Sequence, residues 1–193
     1  MILVWSAVAF LSGSIPYSYW LGKYVLKLDI RDYGDGNPGA TNVMRAAGKQ
    51  WGILAGLLDA LKGVVPVGLA YFVAGLNSWQ LAVVALAPIL GHAFSPWLGF
   101  RGGKAVAVTF GVWVGLTLWE APIILGLALL FTFKLTDNSG WALVGAKAIL
   151  ITYLLVMQRN EWFVVIAVLG LVLLAWKYRG DLVQMPQLRS ARG

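Results

Sequence analysis

Long apolar stretches separated by short polar clusters dominate the chain, and their spacing predicts helices that cross a bilayer. The run from Ile2 to Gly22 has no charge and, at about 1.5 Å per residue, is long enough to span. No basic segment precedes it and no small-residue cleavage pattern follows, so it reads as a retained span rather than a signal peptide. Residues Lys23 to Gln50 are polar and rich in glycine, with Pro38 among them, and predict an ordered interfacial loop. Gly63 to Phe100 is again uncharged but too long for one helix, and Asn77-Ser78 divides it into spans at 52–75 and 79–98. Two shorter pieces, 105–119 and 121–134, meet in a hairpin at Glu120 and Pro122. The last two, 141–158 and 162–176, are split by Gln158-Arg159-Asn160-Glu161, and a polar tail follows. The pattern therefore predicts an all-α, polytopic membrane protein of about seven transmembrane helices, some of them short.

Composition agrees with the pattern. Hydrophobic residues make up 60% of the 193 and charged residues 12%, about half the charge of an ordinary soluble domain, and the mean hydropathy is +0.77. Seven spans leave no room for a soluble domain, so residues 1–193 are expected to form one membrane domain. The absence of cysteine excludes disulfides and thiolate ligands, and His92 is the only histidine, so no metal centre and no cofactor are expected. Most of the ten tryptophans fall near predicted helix ends, as interfacial belt residues do.

The net charge of +7 acts mainly as an orientation signal and does not call for a nucleic-acid partner. Lys23, Lys27, Arg31, Arg45, Lys49, Arg101, Lys104, Lys134, Lys177, Arg179, Arg189 and Arg192 fall on one side of the predicted spans, and only Arg159 falls on the other. The N-terminus is therefore expected outside and the C-terminus in the cytoplasm, in a multi-pass protein of the cell's inner (plasma) membrane whose polar loops face the cytoplasm.

Those loops hold the candidate chemistry. In Gly34-Asp35-Gly36-Asn37-Pro38-Gly39-Ala40-Thr41-Asn42, glycines permit tight turns that line an anion with backbone N–H groups. Asn37, Thr41 and Asn42 add neutral donors. Arg45 follows Asn42 and Thr41 by three and four residues, which on a helical turn puts them on one face. Arg101-Gly102-Gly103-Lys104 sets two glycines between two cations just before an apolar helix, whose N-terminus favours anions. It lacks the Walker A spacing and the hydroxyl residue after the lysine, so it does not imply ATP. A turn-forming loop and a positive-inside anchor are the plain structural alternatives for these two segments.

Asp59 and Lys62, three residues apart in an apolar helix, are expected to pair in a structural or supporting role. His92 near a span end is expected as a hydrogen-bonding strut, and Lys147 is expected to snorkel to the surface.

Ser12-Gly13-Ser14-Ile15-Pro16, the Gly34–Asn42 segment with Arg45, Leu58-Asp59-Ala60-Leu61-Lys62-Gly63, Gly91-His92 and Phe100-Arg101-Gly102-Gly103-Lys104 occur in one order. In this the chain resembles the bacterial acyl-phosphate:glycerol-3-phosphate acyltransferases, the PlsY family, closely over roughly its first 110 residues and by hydropathy beyond. The resemblance implies transfer of a fatty acyl group from acyl-phosphate to the 1-hydroxyl of glycerol 3-phosphate, giving lysophosphatidic acid for phospholipid synthesis. It implies work at the cytoplasmic face, among membrane lipids, without metal or acyl-CoA. Asn37, Thr41, Asn42 and Arg45 would line the polar pocket, and Arg101, Lys104 and the Gly102-Gly103 amides would meet phosphate. The leaving group is already good, so alignment and charge neutralisation are the main requirements. The proton of the attacking hydroxyl would pass to Asp181, Asp35 or a substrate phosphate oxygen.

The chain departs from the family pattern in three places. Asp35 stands where serine is usual, Ala105 where glycine is usual, and Lys177-Tyr178-Arg179-Gly180-Asp181 replaces a His-Arg-Glu-Asn-like motif. These mark a divergent member. They leave open the alternative of a membrane protein with altered specificity, or none for catalysis, that binds a phosphorylated lipid precursor.

Overall fold

In the computed structural model, which describes residues 1–157 and 159–186, every regular element is a helix. Gln158, Arg189 and Arg192, which entered the span boundaries and the charge count, lie outside the described residues. The α-helices are α1 (Ile2–Ser14), α2 (Tyr17–Trp20), α3 (Ala40–Ala47), α4 (Lys49–Gly68), α5 (Ser78–Ala93), α6 (Val106–Thr117), α7 (Glu120–Leu135), α8 (Ser139–Val156), α9 (Glu161–Lys177) and α10 (Arg179–Leu182). Among the described residues, four helical stretches are long and apolar enough to cross a membrane: Ile2–Leu26, Lys49–Val73, Ser78–Leu98 and Ser139–Val156. Helices α6, α7 and α9 are shorter, at 12, 16 and 17 residues.

Two expectations change. The first stretch does not end at Gly22 but breaks at Ile15-Pro16 and continues through α2 and a π-helical turn, Leu21–Leu26. Pro16 has no N–H to continue the ladder, so the chain is offset before it resumes. The polar segment after it is not all loop, because α3 forms within it. That helix needs only one apolar row, since Val43 is buried with Leu21, Ile30 and Ala55.

The fold divides into two compact units, Met1–Leu116 and the chain from Thr117 onward. In the first, α1 packs on α5 and α4 on α6 through glycines that bring backbones together. A Cβ at Gly13 would strike the Pro88 backbone, and one at Gly91 the Phe10 carbonyl. On α6, a Cβ at Gly111 would strike the Ala60 carbonyl, and one at Gly115 would lie 3.0 Å from the Gly68 nitrogen. Close backbone approach of this kind is how helices gain packing contacts where lipid supplies no hydrophobic drive.

In the second unit α8 packs against α7 and α9. Asn138 accepts from the Trp141 amide to cap α8, and its side-chain amide donates to the Asp181 carbonyl at 2.7 Å, tying α10 to the start of α8. At the opposite end of α8, Glu120 accepts from the Tyr153 hydroxyl and the Arg159 guanidinium, both at 2.7 Å. Lys147 does not reach the surface: it is 1% exposed. Its Nζ lies 3.4 Å from where a Cβ of Gly170 would stand, so the missing side chain on α9 makes its room.

Candidate functional site

The glycine-rich segment and α3 build the site from local turns. Gly34 and Gly36 take φ of +60° and +71°, a region that disfavours side chains, and the Gly36 amide closes a turn on the Tyr33 carbonyl at 3.1 Å. A Cβ at Gly34 would also crowd the Arg45 and Asn42 side chains. Gly39 precedes α3, and its carbonyl accepts from the Asn42 amide at 3.0 Å.

The turn aims Asp35 at α3. Asn42, which is buried, donates from Nδ2 to Asp35 Oδ1 and to the Asn37 carbonyl, each at 3.0 Å, and accepts from Arg45 Nη1 at 2.9 Å. Arg45 Nη1 itself lies 3.8 Å from Asp35 Oδ1. Lys104 completes the group from the second loop, with Nζ 3.0 Å from Asp35 Oδ2. Burial pushes the Asp35 carboxyl up. The hydrogen bond and charge of Lys104, with the Asn37 amide and the Asn42 side chain, outweigh burial and hold the carboxyl below its ordinary 3.8.

The Gly102-Gly103 pair lets the second loop pack closely on α5. Both glycines are buried beside the end of α5. A Cβ on Gly102 would overlap the His92 carbonyl and one on Gly103 the His92 ring, and the Gly103 amide donates to the His92 carbonyl at 3.1 Å. His92 thus fixes where Lys104 emerges. Ala105, buried just before α6, has φ +61°, a backbone conformation that favours glycine.

Behind the loops lies a buried ionic centre. Lys62 Nζ sits 2.8 Å from Asp59 Oδ1 and donates to the Ile15 carbonyl at 2.8 Å, at the break that Pro16 makes between α1 and α2. Ser18 donates to Asp59 Oδ2. Asp59 Oδ1 takes no hydrogen bond of good geometry among the described residues, so what it meets is the Lys62 charge. His92 Nδ1 stands 4.0 Å from that oxygen, beyond hydrogen-bond reach. Ser12 donates to the Lys62 carbonyl and Ser95 to the Ser14 carbonyl, so the same break also anchors α4 and the segment after α5.

Of the candidate residues, Asp35, Asn37, Asn42, Arg45 and Lys104 come together in one group. Thr41 and Arg101 are both exposed, and neither belongs to that hydrogen-bonded group. Asp59, Lys62 and His92 form the layer described above. Asp181 belongs to the second unit, where α10 carries it. Ser18 and Ser95 had no sequence signal beyond being polar residues in apolar surroundings, and the fold makes both of them buried partners.

The chain matches the family described as glycerol-3-phosphate acyltransferase over residues 3–187. It is 48% identical over 122 residues to glycerol-3-phosphate acyltransferase 1 of Thermotoga maritima, a stretch that covers 61% of this chain and 59% of that protein. The chain thus spans less than two thirds of that relative's length. It is 34% identical over 191 residues to the glycerol-3-phosphate acyltransferase of Prochlorococcus marinus strain NATL1A, covering 95% of this chain and 93% of that one. Among solved structures it is similar to PlsY (YgiH), an integral membrane glycerol 3-phosphate acyltransferase. Against its glycerol 3-phosphate form the TM-score is 0.86 at 32% identity, with 94% of this chain and 90% of that chain covered. A lysophosphatidic acid form of the same protein gives a TM-score of 0.85.

Proposed function

We propose, since the chain belongs to the glycerol-3-phosphate acyltransferase family, that it moves a fatty acyl group from acyl-phosphate to the 1-hydroxyl of glycerol 3-phosphate and releases lysophosphatidic acid. The observation that carries this proposal is the convergence of Arg45, Asn42 and Lys104 on one anionic point. Two cations and a neutral donor held at such a point suit a phosphate. The structural relative is described in forms with glycerol 3-phosphate and with lysophosphatidic acid, the acceptor and the product of such a transfer.

Acyl-phosphate is a mixed anhydride. The acceptor hydroxyl adds to the acyl carbon, an ester C–O bond forms, and the C–O bond to phosphate breaks with its electrons leaving on phosphate. Lys104 and Arg45 neutralise charge and hold the reactants in line. Asp35, kept ionised against Lys104, retains little basicity. The hydroxyl proton therefore goes to an oxygen of the departing phosphate.

We further propose seven spans, with the N-terminus outside, the C-terminus in the cytoplasm and the site at the cytoplasmic face of the inner membrane, as the Lys and Arg distribution favours. The chain has no cysteine. Single substitutions Gln50→Cys and Asn160→Cys, labelled in intact cells with an impermeant maleimide, test the orientation: labelling of the second alone supports it, and labelling of the first alone reverses it.

The activity is tested with purified protein in lipid or detergent, palmitoyl-phosphate and radiolabelled glycerol 3-phosphate, with palmitoyl-CoA as the control donor. Labelled lysophosphatidic acid formed only with the acyl-phosphate is expected. No product from either donor, in protein that still binds glycerol 3-phosphate, replaces this proposal with a second one. That second reading is a phosphorylated-lipid binder of altered specificity, which the carboxylate of Asp35 at the anion point favours.

A further inference from the structure

The cations proposed to meet phosphate already hold an anion that belongs to the chain. Asp35 Oδ2 faces Lys104 Nζ at 3.0 Å, and Oδ1 takes the Asn42 side-chain amide at 3.0 Å, the Asn37 backbone amide at 3.3 Å and the edge of Arg45 at 3.8 Å. A carboxylate meeting a lysine, an arginine and an amide is close to the arrangement these groups would offer a phosphate edge. The charges of Asp35, Arg45 and Lys104 sum to +1, against +2 for the two cations alone.

The carboxylate is also placed so that it can give way. Its side chain is 43% exposed and sits at the tip of a turn hinged on Gly34 and Gly36, both in the left-handed region. Lys104 is less exposed, at 24%, and emerges from a segment fixed against His92. A ligand anion that reached Lys104 would therefore displace or crowd Asp35 rather than move the lysine.

We propose that Asp35 is a specificity-determining counter-anion. It competes with the ligand for Lys104 and Arg45 and weights the site against doubly charged phosphate monoesters relative to singly charged phosphate diesters. This rests on the proposed function only in taking these two cations as the phosphate site. The physical reason is charge count: each added negative charge on the ligand is attracted by two cations and repelled by one fixed carboxylate a few ångströms away. Removing the carboxylate raises the attraction in proportion to ligand charge.

The substitution that isolates charge is Asp35→Asn. Asparagine keeps an oxygen that accepts from Asn42 and from the Asn37 amide, so the turn retains its neutral hydrogen bonds while the charge facing Lys104 is lost. Calorimetric titrations of inorganic phosphate and of dimethyl phosphate into the full-length protein, in detergent at mildly alkaline pH, compare the two ligand charges. In the Asp35→Asn protein the affinity for inorganic phosphate is expected to rise about three- to tenfold, and that for dimethyl phosphate by clearly less. Asp35→Ser is expected to show the same order, and an unchanged circular dichroism spectrum guards against misfolding as the cause.

Unchanged or weakened phosphate binding in both variants overturns the proposal, as does an equal gain for the two ligands or the absence of phosphate binding by every form. Acyl transfer is scored separately in the same preparations. Tighter phosphate binding without any lysophosphatidic acid leaves the counter-anion in place and removes the acyltransferase reading. Transfer with no charge-dependent gain does the reverse.

Discussion

Lys62 and Asp59 form an ion pair at 2.8 Å with side chains only 1% and 2% exposed, and the same ammonium ties the Ile15 carbonyl at the break between α1 and α2. One lysine thus neutralises a buried carboxylate and adds a second donor to the Ile15 carbonyl, which also accepts from the Tyr17 backbone amide at 3.1 Å. Asp59→Ala strands the ammonium and is expected to destabilise the protein by about 3–5 kcal/mol. The double substitution Asp59→Leu with Lys62→Met should recover most of that loss. Thermal unfolding in detergent, arranged as a double-mutant cycle, measures the coupling, and additive losses would show that the pair contributes nothing of its own.

The cations of the anion site should separate from the layer beneath them. Lys104→Ala and Arg45→Ala are expected to lower kcat/KM for acyl transfer by about 10²–10³-fold while the melting temperature stays close to that of the parent, since both side chains are partly exposed. Arg45→Lys should recover only part of the loss, because a point charge cannot replace the planar fork that also holds Asn42. Full activity in both alanine variants would move the phosphate elsewhere.

Ala105 stores backbone strain. At φ +61° an L side chain costs roughly 1–2 kcal/mol, partly offset by the entropy that glycine loses on folding. Ala105→Gly is therefore expected to stabilise by up to about 1 kcal/mol. Ala105→Val should destabilise clearly, since a branched side chain is still less compatible with that conformation and the position is buried. Denaturant midpoints for the two variants decide the sign.

Acid should loosen the second unit through Glu120. The hydrogen bond from Tyr153 and those from Arg159 hold its carboxyl below the ordinary 4.5 despite some desolvation. A depressed folded value means that the stabilisation is fully present above about 4.5 and is lost as pH falls through the lower folded value. Melting curves between neutral and strongly acid pH should show this loss in the parent and a smaller one in Glu120→Gln, with high salt narrowing the difference. Parallel curves would remove Glu120 as the titrating group.

Asp181→Asn tests the proton's destination. Transfer within a few-fold of the parent, with an unchanged pH profile, is expected if a phosphate oxygen takes the proton. A loss of about 10²–10⁴-fold, together with disappearance of the acidic limb, would make Asp181 the base.

The sequence by itself determined the helical class and the apolar, membrane-protein character of the chain, and marked the glycine- and cation-rich segments as candidates, because apolar run length and the clustering of glycine with cations are local properties. Thr41, Asn42 and Arg45 were expected on one helical face, and α3 joins Asn42 to Arg45 as expected. Only the tertiary structure set Asp35 against Lys104, almost seventy positions away, and turned Gly102-Gly103 into a close fit under His92. It also buried Lys147 beside Gly170, where the apolar run alone suggested a side chain reaching for the surface. The break at Pro16 could be read as a kink from the residue type. That the Ile15 carbonyl there accepts from Lys62, and that Ser18 donates to Asp59, depends on how α1, α2 and α4 pack. Contacts between segments distant in sequence follow from backbone approach through glycine faces, and no local pattern encodes which faces meet.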